Sequence, residues 1–185
     1  TKSEITQKEV GDIRASILFL GSMLGRMQTA GIRLPGGCSI GARPVDYHIA
    51  AFSAMGAETS QREDVICCEI RHRGAERVKL PYPSVGATEN VILYAVLRKG
   101  TTILENTAKE PEIRELCEFL RQMGARISGD GEECITIQGV KELQGVVYRL
   151  KTDRIAFLTY AAMAAGSGGS ASLRVYGDTF ETEKK

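Results

Sequence analysis

The sequence predicts an α/β fold assembled from a repeated module, and three observations carry that expectation. Segments whose apolar residues fall at helical spacing alternate along the chain with short strand-like segments. The alternation then recurs position by position. Val45, His48, Ile49, Phe52 and Met55-Gly56-Ala57 are matched in order by Ile113, Leu116, Cys117, Leu120 and Met123-Gly124-Ala125. The period is about 68 residues, longer than that of solenoid repeats, so each unit should be a substantial module. Two repeats are expected over 14–82 and 83–150, both within one domain spanning 1–150, and 151–185 begins a further repeat that is truncated.

Taken in order, residues 1–13 are polar, with a short strand expected over 3–6. From Arg14 onward, Ile17, Leu20, Leu24 and Met27 share one helical face. Residues 31–34 read as a strand that runs into a glycine-rich loop. Pro44 suits a first helical position, where its missing N–H costs nothing, and Gly56 stops the helix it opens. Residues 65–70 and 78–81 read as two strands of a hairpin or broader turn. A helix over 87–97, a strand over 100–104, a helix from Pro111 and strands from Gly124 and Cys134 complete the second copy. In the third, Ile155, Leu158, Thr159 and Ala162 mark a helix and 169–175 a strand, before a polar tail. The chain starts at Thr1 without a Met or an apolar leader and ends in mid-repeat, so it is read as an internal fragment.

Composition narrows the function classes. Of 185 residues, 43% are hydrophobic and 25% charged, the balance of a soluble globular chain. No apolar run approaches the ~18 residues that a spanning helix needs, so no membrane role is expected. A net charge of +1 offers no basic face for nucleic acid, so an anionic ligand must be held by a few local arginines. Five cysteines, none in C-x-x-C spacing, argue against a zinc site or a disulfide framework. They favour a reducing, cytoplasmic setting with no metal or other cofactor.

The chemistry concentrates in residues 34–46, Leu34-Pro35-Gly36-Gly37-Cys38-Ser39-Ile40-Gly41-Ala42-Arg43-Pro44-Val45-Asp46. Glycines free the backbone to approach a ligand, and a thiol becomes reactive when a nearby cation tunes it. Cys38 and Arg43 are therefore the leading candidates. Cys117 occupies a helix-core slot, Cys67 and Cys68 fall on opposite strand faces, and Cys134 is a strand residue. His48 lies on the apolar face of its helix, as a core or supporting histidine, and His72 in a solvated turn. Pro83-Ser84-Val85-Gly86-Ala87-Thr88 runs small residues into a helix start. It is readable either as a phosphate cradle or as plain N-capping by Ser84 or Thr88. Arg14-Ala15-Ser16 raises the same question at another helix start.

The cysteine loop resembles the active-site loop of the UDP-N-acetylglucosamine 1-carboxyvinyltransferase family of enolpyruvyl transferases. Arg14-Ala15-Ser16-Ile17, Ser84-Val85-Gly86-Ala87-Thr88, Gly100-Thr101-Thr102-Ile103, Glu110-Pro111-Glu112-Ile113 and Asp153-Arg154-Ile155 resemble that family too, in the right order. The resemblance implies an inside-out α/β barrel of the enolpyruvyl transferase type, built from βαβαββ units, with 1–150 part of the catalytic domain. It implies transfer of the enolpyruvyl group of phosphoenolpyruvate to the 3-hydroxyl of UDP-N-acetylglucosamine, the first committed step of peptidoglycan synthesis. By matching position, Cys38 would be the general acid that fosfomycin alkylates, and Arg43 would bind the phosphate of phosphoenolpyruvate. Arg14 would contact the substrates. Pro44, Val45, Asp46 and Tyr47 would line the uracil pocket, and Ser84, Val85 and Gly86 would cradle the diphosphate.

The chain also departs from the family pattern. Tyr82 stands where many members carry a lysine or an aromatic residue, so a direct cation to the diphosphate is absent there, and the residues after Asp153-Arg154-Ile155 differ, which weakens any role for Asp153. The family's lysine–asparagine pair and aspartate base are not in this sequence, so little turnover is expected from this stretch alone. Its partners would be the remainder of the same enzyme or a second copy. Rival readings are the same fold with another acceptor such as shikimate 3-phosphate, a non-catalytic UDP-sugar-binding paralogue, or a cysteine redox protein.

Overall fold

A computed structural model describes residues 3–7, 13–34 and 45–177. The chain divides into two compact units, Thr1–Gly145 and Val146–Lys185. In the first, β1 (Glu4–Ile5) is followed by a 3-10 turn (Arg14–Leu18) that runs directly into α1 (Phe19–Met27). Next come β2 (Thr29–Arg33), α2 (Asp46–Ala54), β3 (Ala57–Arg62) and β4 (Val65–Ile70). The same order returns as β5 (Arg77–Lys79), α3 (Val85–Ala95), β6 (Thr101–Glu105), α4 (Pro111–Gln122), β7 (Arg126–Ser128) and β8 (Cys134–Gln138). Each set closes a four-stranded sheet, ordered β1-β2-β4-β3 and β5-β6-β8-β7. In both sheets the first pair is parallel and the others antiparallel.

Alternation along the strands turns one face of each sheet inward. Ala30 and Ile32, Ile66 and Cys68, Leu104, and Ile135 with Ile137 are all buried. Helix α4 is amphipathic and buries Ile113, Cys117 and Leu120. Helix α3 is different. It buries Ala87, Thr88, Asn90, Val91, Ile92, Tyr94 and Ala95, residues distributed around the helix, and packs against α1, α2, α4, β6 and β8. Burial on every side is what a central position demands.

Close approach of α1 to α3 depends on glycine. A Cβ built on Gly21 would lie 2.1 Å from the carbonyl oxygen of Asn90, far inside van der Waals contact. Gly56 ends α2 with φ +97, the left-handed conformation that glycine adopts without steric cost.

The structure corrects the sequence reading in three places. Residues 65–70 and 78–81 do not form a hairpin. Strand β4 pairs with β3, and β5 opens the other sheet beside β6. Strand β3 is polar along nearly its whole length, with only Ala57 buried, so it lacks the period-two signal by which strands are recognised. The helix expected from Arg14 begins as a 3-10 turn. Residues 169–175 form no strand. A strand is stabilised by its ladder and marginal without several partners, and none pairs with this segment among the described residues.

The second unit contains α5 (Arg154–Gly166), capped by Asp153, whose Oδ1 accepts from the amides of Ile155 (2.8 Å) and Ala156 (3.0 Å). Asp153 is thus a helix N-cap. None of the residues of α5 is buried. The Arg149 guanidinium sits 3.7 Å over the Tyr176 ring, and the amide of Thr152 donates to the Tyr176 carbonyl at 3.0 Å.

Overpacking at a close helix contact costs about 1–3 kcal/mol. Gly21→Ala is therefore expected to lower stability by about that much in urea denaturation. Gly145→Ala, where a Cβ would meet nothing within 4 Å, should leave the midpoint unchanged. Equal midpoints for the two variants would contradict the proximity of α1 and α3.

Candidate functional site

The start of α3 is a shaped donor surface. Ser84 takes an extended backbone as N-cap, and its Oγ accepts from the Ala87 amide at 3.4 Å. Its carbonyl accepts from the Thr88 amide (2.9 Å) and the Thr88 hydroxyl (2.8 Å). The Thr88 Oγ1 in turn accepts from the Ala108 amide at 3.2 Å, which fixes this turn to the segment before α4. The amides of Val85 and Gly86 have no protein partner among the described residues. Two free amides and a hydroxyl at the positive end of a helix dipole favour a phosphate group. Ser84 therefore fulfils the capping role while its two successors remain open to a ligand.

The start of α2 lies beside this surface. Val45 is buried and caps α2 through its carbonyl, which accepts from the amides of His48 (3.0 Å) and Ile49 (3.2 Å). Asp46 is exposed in the first turn. The Tyr47 ring stacks on that of Tyr82, with centroids 6.1 Å apart and planes 24° from parallel. Both rings are exposed, at 38% and 59%, so together they offer an aromatic surface to a planar group. Arg14 is half-buried at the first position of the 3-10 turn. Cys38, Arg43 and Pro44 lie outside the described residues.

Behind the surface sits a buried polar cluster. His48 is only 4% exposed, and its Nδ1 is 2.9 Å from Nδ2 of Asn90. Asn90 Nδ2 also donates to the Ile17 carbonyl (3.0 Å), and its Oδ1 accepts from the Gly21 amide (2.7 Å). Burial, with a smaller contribution from the Arg14 charge, holds the His48 pKa down to about 4. Arg14 therefore acts electrostatically on His48. Glu89, one residue before Asn90, is pushed the other way, to about 7, first by burial and then by the Glu112 carboxylate.

The remaining candidates are structural. Burial pushes the Cys68 and Cys117 thiols up to about 12, which keeps them protonated and inert. Cys67 accepts from Arg62 at 3.0 Å, Cys134 is exposed on β8, and His72 is exposed. Among the described residues no group of His, Cys, Asp or Glu could hold a metal ion, and no helix is long and apolar enough to cross a membrane. Sequence reading passed over Asn90 and Glu89, whose burial leaves no mark in hydrophobic periodicity, and it took from Tyr82 only the absence of a direct cation. The sequence signal for Tyr82 was its aromatic character two residues before a helix cap.

Two sheets of like connectivity around a shared helical core define an enolpyruvyl-transferase-type fold. The enolpyruvyl transferase NikO from Streptomyces tendae has it, with a TM-score of 0.71 at 22% identity over 86% of this chain and 38% of that one. EPSP synthase from Acinetobacter baumannii is similar at 0.55 and 21% identity, over 71% of this chain and 30% of that one. The chain belongs to the EPSP synthase (3-phosphoshikimate 1-carboxyvinyltransferase) family, whose model matches residues 1–179. Among curated relatives, it is 51% identical over 89% of its length to UDP-N-acetylglucosamine 1-carboxyvinyltransferase of Cereibacter sphaeroides, covering 39% of that protein. The Paracoccus denitrificans protein of the same name is 48% identical over 86% of this chain and 38% of its own length. The chain thus spans about two fifths of the length of the curated relatives it matches.

His48 and Glu89 give opposite pH dependences. With its folded pKa at about 4 against 6.5 unfolded, His48 makes stability rise with pH between those values, because the unfolded chain binds the extra proton. With its folded pKa at about 7 against 4.5 unfolded, Glu89 makes stability fall across that window, because the folded chain holds the extra proton. The two slopes oppose each other where the windows overlap. Glu89→Gln should unmask a rise from pH 4.5 to 6.5, and His48→Gln a fall, each approaching about 1.4 kcal/mol per pH unit. Denaturation midpoints measured across that range check this; superimposable wild-type and variant profiles would refute it.

Proposed function

We propose that this chain is part of an enzyme that transfers the enolpyruvyl group of phosphoenolpyruvate to the 3-hydroxyl of UDP-N-acetylglucosamine, releasing phosphate, in peptidoglycan synthesis. The observation that carries the reading is the open start of α3, with the free amides of Val85 and Gly86 beside the Ser84 hydroxyl. The stacked Tyr47–Tyr82 pair supplies the flat surface that a nucleotide base needs. The names of the relatives at about half identity support this acceptor over shikimate 3-phosphate. In the fold we propose, the repeating βαβαββ units of about 68 residues belong to an inside-out barrel.

The sugar diphosphate lies on Ser84, Val85 and Gly86, and the base lies by Pro44, Val45, Asp46 and Tyr47. Buried phosphate charge is prohibitive without compensating donors, and Arg14 and Arg43 contribute the cations. The sugar hydroxyl adds to C2 of phosphoenolpyruvate while an acid protonates C3. The resulting tetrahedral adduct loses phosphate and the C3 proton, restoring the double bond. Cys38 is the acid in this reading. The reaction places the enzyme in the cytoplasm, as part of cell wall biogenesis and so of cell shape and division.

Mass analysis of the intact protein treated with fosfomycin and UDP-N-acetylglucosamine is expected to find the adduct on Cys38. An unlabelled Cys38 would overturn the reading, as would phosphate release with shikimate 3-phosphate as acceptor instead. Ser84→Ala is expected to weaken UDP-N-acetylglucosamine binding about tenfold and to cost about 1 kcal/mol of stability. Unchanged binding by calorimetry would remove Ser84 from the cradle.

A further inference from the structure

The far end of α3 borders a cavity of about 520 Å³, within the size range of small-molecule sites. It lies where α1, β4 and α3 all end. Tyr94 and Arg98 form its buried floor, at 2% and 7% exposure, and Ile70 and Leu97 add apolar wall. Arg71, Arg73 and Lys99 are exposed at its rim, beside His72. Among the described residues no aspartate or glutamate lines it.

The backbone holds these cations in place. The Arg71 amide donates to the Gly56 carbonyl (3.0 Å) and the Ala75 amide to the Ala54 carbonyl (2.8 Å), which ties the turn after β4 to the end of α2. Arg73 Nη2 lies 2.7 Å from where a Cβ on Gly100 would stand, so its guanidinium reaches across to the turn after α3. Arg98 Nη1 donates to Thr102 Oγ1 (3.1 Å), and its Nη2 to the carbonyls of Gly74 (2.9 Å) and Ala75 (3.2 Å). With the Tyr94 hydroxyl, all these partners are neutral, and they leave part of the guanidinium uncommitted.

Charge pairing divides the four cations. Arg71 meets Glu58 and Glu69, and Arg73 meets Glu76. Among the described residues no carboxylate pairs with Arg98 or Lys99. A buried cation among neutral acceptors is costly, and an anion within reach offsets that cost. Helices α1 and α3 both end here, and their dipoles favour a nearby cation. That attraction requires no cavity, and it does not account for a lining with four cations and no carboxylate.

We propose that this cavity is a second anion site, which takes the phosphate group of a phosphorylated small molecule through Arg98 and Lys99, with Arg71 and Arg73 at its mouth. Guanidinium N–H groups bond phosphate oxygens directionally, and the Lys99 ammonium adds a point charge. The apolar wall and the volume leave room for the organic part of the ligand. The 11 residues of α3, at about 1.5 Å each, set this site about 16 Å from the Ser84 end of the helix. It is therefore separate from the donors at that end and independent of the acceptor assignment.

Nitrogen-detected titration of the whole chain with inorganic phosphate, against chloride at equal ionic strength, tests this. Saturable shifts are expected at the Arg98, Lys99 and Gly100 amides and at Arg98 Nε. Lys99→Gln, at an exposed position, should keep the fold and weaken this binding about tenfold, and Lys99→Glu should abolish it. Neither variant should alter the response of the Val85 and Gly86 amides. A sugar phosphate as second probe should bind at least as tightly as phosphate. Shifts confined to Val85 and Gly86, equal shifts in chloride, or an affinity unchanged in Lys99→Gln would overturn the proposal. Exclusion of the sugar phosphate would overturn the assignment to an organic phosphate. A glutamate-rich peptide that shifts these resonances where phosphate does not would assign the face to a protein partner instead.

Discussion

The carboxamide of Asn90 holds together three segments that are far apart in the chain. Gly21 N–H and the Ile17 carbonyl are the pair that a continuous α-helix would join directly. Here the Asn90 side chain is inserted between them, accepting from one at 2.7 Å and donating to the other at 3.0 Å. The insertion accounts for the 3-10 turn ahead of α1, since the i→i−4 ladder is opened at its first rung. Asn90 is fully buried, so no water competes for these bonds and each unmet one would be expensive. Gly21 has to be glycine for the backbones to come this close.

The same side chain reaches the site. Its remaining hydrogen fixes the His48 ring, and α3, on which Asn90 sits, presents Ser84, Val85 and Gly86 at its other end. Packing of α1 on α3 and presentation of donors at the start of α3 are therefore coupled through a single rigid helix. Thr88 extends the coupling to the segment before α4 through the Ala108 amide. Donors held in this way cost little reorganisation when an anion arrives.

Charge at the site is arranged locally, as a chain with a net charge of +1 requires. Burial keeps His48 neutral and raises Glu89 to about 7, so neither group carries its full ordinary charge close to the start of α3. Positive potential there comes from the helix dipole. Tyr82 packs on Tyr47 and contributes aromatic surface, not a point charge.

The sequence by itself determined the α/β class, the recurrence of one element order and the placement of the helices. These follow from apolar periodicity, which any chain must satisfy to bury a core. Ser84 at a helix start could be read the same way, because capping is a local interaction between neighbours. The strand at Ala57–Arg62 could not be read, because it buries almost nothing and is held by its ladder to β4. For the same reason 169–175 was misread: β propensity does not supply a partner strand. Only the tertiary structure decided that Tyr47 meets Tyr82 and that Asn90 stands between Ile17, Gly21 and His48. These contacts join residues dozens of positions apart, and buried polar groups are specified by the geometry of their partners, not by spacing along the chain.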